Sequence, residues 1–344
     1  MPQPEKAKAI ASEPYDVINS TEARLAAEGN PISFLHVVRP EIDFPEGQDL
    51  YHTDVYRKAN DNLVALIENE HLVEQDTDSI FIYRQVFQGR EQYGVVCCYD
   101  VEQYRDETIK KHEKTRPDKE DDRTRHITTC SAHAEPVFLS FKDDPVINRL
   151  IQADSQSSPM VDFVADDDVQ HTVWKVPDPN LYVAAFKNLD CVYIADGHHR
   201  TAAGERAASQ RQKENPVHTG QEEYNRVLSV MFPDSQLEIL AYNRVLSELG
   251  EQTVDNVVDA IRKLGVVEKT EDSVPQQATH ICFYLDGQWY RLEFDQSQIE
   301  FSDPIESLDV ALLQSKVLTP IFGVGDPIGF QNRICRRYSG NRRA

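Results

Sequence analysis

The sequence predicts an α+β fold, on three observations. Strand-like and helix-like segments interleave irregularly, without the steady β-α-β alternation of a doubly wound sheet. Two pairs of β-rich runs are each joined by a short polar turn. Apolar residues recur at helical spacing in several separate windows, and no internal repeat is visible.

Taken in order, STEARLAAEG (20–29) predicts a short helix, with Asn19 as its cap, Glu22 three residues on and Gly29 as its stop. PISFLHVV (31–38) predicts a strand. Val55, Ala59, Leu63, Leu66 and Ile67 fall on one helical face within 51–72. Residues 79–87 and 93–99 read as a hairpin turning through QGREQ. The segment 106–125 is densely charged. Beyond it the pattern gives a strand at 136–141, a helix at 145–153, a strand at 171–176 and a helix at 180–189. A strand at 191–195 and a helix at 201–212 close this set, and the polar stretch 212–225 is the best linker. Strands follow at 226–232 and 237–246, then a helix at 254–264. A hairpin over 280–294 turns at Asp286-Gly287, a favoured hairpin dipeptide, and an amphipathic helix covers 308–318.

At 344 residues, the length suggests two domains. The expected boundaries are a core over 1–212 with 106–125 inserted, an α+β region over 213–327, and a basic tail over 328–344. No apolar run approaches the ~18 residues a membrane span needs, and the N-terminus lacks an apolar signal core. Both point to the cytoplasm. The cysteines are scattered with no CxxC pair, so buried thiols are expected over disulfides. With 36 basic and 58 acidic residues the net charge is −22, which disfavours DNA and other phosphate backbones as partners. A small anion remains possible, because a few clustered cations and backbone amides hold a phosphate locally. No membrane partner is expected, and the oligomeric state is open.

There is no GxxxxGK[ST], no GxGxxG between strand and helix, and no HExxH. His126, Cys130 and His133 allow a zinc reading with His112, but that fourth ligand lies in a charged loop, so no metal ligand set is assigned. The strongest signal is CVYIADGHHRTAA (191–203). Asp196-Gly197 ends a buried strand in a tight turn, and the following residues fall on the first turn of a helix, where free amides and the dipole favour anions. His198, His199 and Arg200 add donors there, and Arg200 is able to grip a phosphate through two parallel bonds. The plainer alternative makes Asp196 a helix cap.

The cluster KKHEKT (110–115), with Lys119, Arg123 and His126 on one face if helical, reads either as a solvated face or as a cationic lid over a phosphorylated ligand. Glu113 is then the candidate base and Lys111 and Arg123 phosphate-binding cations. Tyr15 and Asp16 in PYD, and Arg39 in RPE, are candidate substrate-binding residues, with a turn and a strand rim as the plainer alternatives.

PYDVI (14–18), NPISFLHVVRPEID (30–43), KKHEKT (110–115), Asp122-Arg123, AEPVFL (134–139), YIADGHHRTAA (193–203) and LDVALLQ (308–314) together resemble the DUF1015 family. That family carries a SpoOJ/ParA/ParB/RepB-like label. Its DGHHR element is similar to that of ParB/sulfiredoxin-like folds, free serine kinases among them. The resemblance implies a ParB/sulfiredoxin-like mixed-sheet core with a smaller C-terminal region. It implies a nucleotide site, with ATP or ADP and Mg²⁺ as cofactors, in which Gly197, His198, His199 and Arg200 hold phosphates and Asp196 orients the turn. The expected activity is phosphoryl transfer to a small hydroxyl metabolite, L-serine to O-phosphoserine first, with Glu113, Asp196 and His199 catalytic. The alternative is a non-catalytic ParB-like nucleotide-binding regulator; a DNA-partitioning role fits the charge poorly.

The tail IGFQNRICRRYSGNRRA has five arginines and no acid. With freely chosen codons read one base out it yields S-V-F-R-I-E-F-V-G-G-I-R-G-I, which contains the F-V-G-G-I-R-G that the resemblance implies after Asp326-Pro327. The expectation is an out-of-frame or disordered tail from about Ile328, with the family's own C-terminal portion absent.

Overall fold

The computed structural model describes residues 1–238, 243–246, 249–250 and 252–325, and the backbone of 336–338. It divides into two compact units, residues 1–237 and 238–344. The expectation about the tail from 328 lies outside the described residues, save that 336–338 is strand.

The first unit opens with α1 (Ala7–Ile10) and α2 (Ser20–Ala26). Asn19 accepts from the Thr21 and Glu22 amides while Glu22 returns to the Asn19 amide, the reciprocal cap expected from the sequence. The predicted strand at 31–38 does not form. Leu35–Val38 is a one-turn helix, α3, followed by a 3₁₀ turn at Pro40–Asp43. Burial explains the difference. Leu35 and Val38, three apart, share a cluster with Tyr15, Ile18, Ala23 and Ile42, and Val37 is also buried, so apolar residues do not alternate between faces.

Helix α4 (Thr53–Glu68) precedes the hairpin β1 (Phe81–Phe87) and β2 (Arg90–Asp100), which turns at Gln88-Gly89, both at positive φ. Then come α5 (Val101–Arg105), β3 (Ile109–Lys110), α6 (Pro117–Cys130), β4 (Val137–Phe141) and α7 (Pro145–Asp154). A strand absent from the sequence reading, β5 (Val161–Val164), precedes β6 (Gln170–Lys175), α8 (Pro179–Phe186), β7 (Val192–Asp196), α9 (His198–Glu214) and β8 (Arg226–Pro233).

The eight strands form one mixed sheet in the order β3-β7-β4-β8-β2-β1-β6-β5. The β3–β7 and β4–β8 pairs are parallel and the others antiparallel. Ile82, Val95, Leu139, Phe141, Ile147, Tyr182 and Ile194 fill the core. The first unit extends past the expected boundary at 212, because β8 pairs with β4 on one side and β2 on the other and so belongs to the middle of the sheet. The charged segment 106–125 is likewise no appendage. Its start supplies edge strand β3, and its end is the first half of α6, which packs on α9.

In the second unit β9 (Asn243–Val245) pairs with β13 (Arg336–Tyr338). Helix α10 (Val254–Arg262) is followed by a three-stranded antiparallel sheet of β10 (Gly265–Thr270), β11 (His280–Leu285) and β12 (Gln288–Phe294), with β12 central. The β11–β12 turn uses Asp286 and Gly287, both at positive φ, as the dipeptide predicts. Leu308–Leu318 is not one regular helix: α11 (Asp309–Leu312) passes into a π-helical stretch before α12 (Thr319–Phe322). Val257, Ile261, Leu292, Phe294 and Leu312 form this unit's core. The expected strand at 237–246 lies partly outside the described residues.

Candidate functional site

The turn between β7 and α9 is where the sequence placed it. Val192 and Ile194 are buried on β7, and Gly197 then takes φ +88°, a conformation that favours glycine. Helix α9 begins at once with His198. The Thr201 amide bonds back to the Gly197 carbonyl, and the Thr201 hydroxyl donates to the same oxygen. No side chain caps the helix, so Asp196 is not the cap that the plainer reading made it. Asp196 instead accepts from Arg200 Nη2 at 2.6 Å. The first-turn amides of a 17-residue helix are thus left without a side-chain acceptor.

Arg200 is folded back under the turn. Its Nη1 donates to the Pro136 carbonyl at 2.7 Å, and its Nη2 lies 3.7 Å from Asp16 besides the Asp196 bond. A Cβ on Gly197 would stand 3.2 Å from Arg200 Nε, an atom that is buried without a partner. The two-bond phosphate grip expected of Arg200 is therefore already used inside the protein.

The histidines split in role. His199 Nε2 accepts from the Arg116 amide at 3.1 Å, which pins the entrance of α6 to the start of α9. His198 is 6% exposed, and its Nδ1 lies 3.6 Å from Glu113 Oε2. The His112 ring stands edge-on to it, with centroids 4.4 Å apart and planes at 86°. Burial, and then the neighbouring His112, push the His198 imidazole below its ordinary pKa, against the opposing pull of Glu113 and Asp196. His198 Nε2 is buried and without a partner.

Four motif segments converge behind the turn. The Tyr15 amide donates to Glu135 Oε1 at 2.8 Å, and the Tyr15 ring carries the Arg123 guanidinium 4.0 Å from its centroid. Arg123 is 9% exposed and ion-paired to Asp122 at 2.8 Å, and Asp122 accepts from the Tyr56 hydroxyl. Burial raises the Glu135 carboxyl above its ordinary range, with Arg200 opposing, and raises the Tyr15 hydroxyl to about 12. A cavity of about 20 Å³, room for one water, is lined by Arg123, His126, Glu135 and Arg200 among others.

Of the candidates, Glu113, Asp196, Gly197, His198, His199 and Arg200 come together at the turn, with Tyr15, Asp16 and Arg123 behind it. Lys111 does not join them: its ammonium lies over the Tyr104 ring, 3.9 Å from the centroid. Arg39 is paired with Glu41 at 3.2 Å. The face of α6 that was to be a cationic lid carries Arg123 and His126 inward, because both have internal partners. His126 Nε2 meets the Val37 carbonyl at 2.9 Å, and burial lowers its pKa to about 4. Among the described residues no three His, Cys, Asp or Glu side chains are placed to hold a metal ion. Mg²⁺ fits this surface only as an ion that takes most of its shell from phosphate oxygens and water. Sequence reasoning missed Glu135, Arg116 and Tyr104. Glu135, a lone charge at the entrance of β4, was the one with a visible signal.

The family model for DUF1015, described as a protein of unknown function, matches residues 1–311. No curated protein and no solved structure matches the chain. Among the described residues no helix is long and apolar enough to cross a membrane.

Proposed function

The chain belongs to the DUF1015 family, and from that premise we propose a nucleotide-dependent phosphotransferase that acts on a small hydroxyl metabolite, with free L-serine the first substrate to test. One observation carries this reading. An uncapped helix N-terminus and the Glu113–His198 pair occupy the same turn, an arrangement that would set an anion beside a proton acceptor. Phosphoryl transfer needs mainly positioning and charge neutralisation, plus a group to take the hydroxyl proton. The α9 amides would hold phosphate oxygens, and the Glu113–His198 pair would receive the proton. ATP or ADP would supply the phosphoryl group, with Mg²⁺ carried by the nucleotide. The ParB/sulfiredoxin-like likeness of the mixed sheet belongs to the same proposal.

A second reading, a non-catalytic nucleotide-binding regulator, is favoured by the commitment of Arg200 to Asp196 and Pro136, which leaves no free guanidinium at the phosphate. Incubating the full chain with L-serine, Mg²⁺ and ATP, ADP or CTP, and following O-phosphoserine by ³¹P NMR alongside thermal shifts, separates the two. Phosphoserine supports the kinase. Stabilisation by a nucleotide without transfer supports the regulator. No shift and no product with any donor defeats both.

A further inference from the structure

Among the described residues, two buried nitrogens at the turn have no partner, Arg200 Nε beneath Gly197 and His198 Nε2, and phosphate held by the α9 amides would not account for the second. His198 Nε2 is buried and takes no hydrogen bond, although buried polar atoms nearly always find a partner. The other ring nitrogen faces the Glu113 carboxylate at 3.6 Å. A carboxylate only accepts, so this contact favours the proton on Nδ1 and leaves Nε2 as a bare lone pair.

We propose that His198 Nε2 is the proton acceptor for the substrate hydroxyl, held in its Nδ1–H tautomer by Glu113 and covered at rest by the His112 ring. The inference rests on the phosphotransferase reading and changes the part played by Glu113, which becomes a positioning residue. The order of groups is acceptor nitrogen, imidazole, carboxylate, the arrangement by which a base is oriented by a third group. A contact of 3.6 Å is loose for a hydrogen bond, as such contacts often are before substrate binds. His112 is exposed and makes no hydrogen bond among the described residues, so its ring turns aside without breaking one. Burial and His112 lower the His198 pKa, which favours the neutral form that a base requires. In the step itself the hydroxyl O–H bond breaks and its proton moves to Nε2. The substrate oxygen bonds to the transferred phosphorus as the bond from that phosphorus to the nucleotide's bridging oxygen breaks. The nucleotide, shortened by one phosphoryl group, leaves. The imidazolium formed is stabilised by Glu113.

The titratable groups acting on His198 include His112 and Glu113 from the loop before α6, Asp196 at the end of β7 and His199 on the first turn of α9. Long-range ¹H–¹⁵N correlation spectra of the ¹⁵N-labelled full chain read the His198 tautomer without any ligand. Turnover of ATP with L-serine is measured in parallel for the wild type, His198→Gln and Glu113→Gln. The expected results are an Nδ1–H tautomer in the wild type and a mixed tautomer in Glu113→Gln. His198→Gln should lose about 10²-fold or more in kcat, with the KM for ATP nearly unchanged. Glu113 is exposed, so its variant tests the pairing even if His198→Gln folds poorly. An Nε2–H tautomer in the wild type overturns the inference whatever the turnover, as does full kcat in His198→Gln. An Nδ1–H tautomer without any turnover overturns the phosphotransferase reading, and the assignment of a base with it.

Discussion

Replacing Gly197 with alanine separates two costs that the turn imposes. The first is backbone. At φ +88° an L-residue is strained, at roughly 1–2 kcal/mol. The second is contact. The new Cβ would lie 3.2 Å from Arg200 Nε and 3.4 Å from its Cζ, so the guanidinium must move. Moving it loosens the bonds to Asp196 and the Pro136 carbonyl, and hydrogen bonds to charged groups contribute about 1.5–3 kcal/mol. Gly220 provides the control. Its φ is +86°, and a Cβ there meets nothing within 4 Å, so Gly220→Ala carries the backbone cost alone. Urea unfolding of the two variants, followed through the first unit's tryptophan, Trp174, should place Gly197→Ala below Gly220→Ala by about 1–3 kcal/mol. Equal losses would refute the claim that Arg200 is packed beneath the turn. Nucleotide-induced thermal shifts on the same variants add a second readout for the proposed anion site, since a displaced Arg200 would disturb the turn that forms it, whereas Gly220 lies outside that turn.

Three further outcomes follow from buried charge. Burial holds His126 and His133 at about 4, below the ordinary 6.5, so the unfolded chain binds protons that the native state refuses as pH falls between those values. Stability should drop from pH 7 to pH 5 by on the order of 1–2 kcal/mol per histidine, read as a lower urea midpoint, and a flat profile would contradict it. His36 has the opposite sign. Asp43, bonded to it at 2.6 Å, raises its pKa above 6.5, so its contribution is complete below that value and fades as pH rises through the raised one. His36→Ala should therefore lower the urea midpoint more at pH 6 than at pH 9, and an equal loss at both would sink the assignment. Asp122→Ala strips the buried Arg123 of its ion pair and the Tyr56 hydroxyl of its acceptor. Breaking a buried pair from one side costs roughly 3–5 kcal/mol, and a loss under about 1 kcal/mol by calorimetry would show that Arg123 is solvated after all.

What the sequence made legible, and what it hid, divides along the range of the forces involved. Local chemistry was readable. Asn19 with Glu22, Asp286-Gly287 and Asp196-Gly197 each declare a cap or turn within a few residues, and each forms as expected. The strand expected at 31–38 failed because a short apolar run carries no period of its own; packing against Tyr15 and Ile18 decided it. β5 escaped notice because only Val161 of its four residues is fully buried, which leaves little alternation to see.

At the site the same division holds with functional consequences. The sequence shows that Asp196 to Arg200 form a turn before a helix, but not where Arg200 points, because that depends on a carbonyl 64 residues away. Position on a helix start or in a charged cluster points to Arg200, Lys111 and Arg123 as phosphate ligands, but position along the chain does not show which internal partner each side chain meets. Arg123 and Arg200 pair with Asp122 and Asp196, since a protein of net charge −22 supplies internal acceptors in excess, while Lys111 lies over the Tyr104 ring. In such a chain the groups left over for an anion are those that no acidic side chain competes for. At this turn the proposal gives that part to the uncapped amides of α9, with the buried and unpartnered His198 Nε2 beside them for the proton. Clusters of basic residues in acidic proteins are on this argument poor pointers to anion sites, and helix starts that lack a capping side chain are better ones.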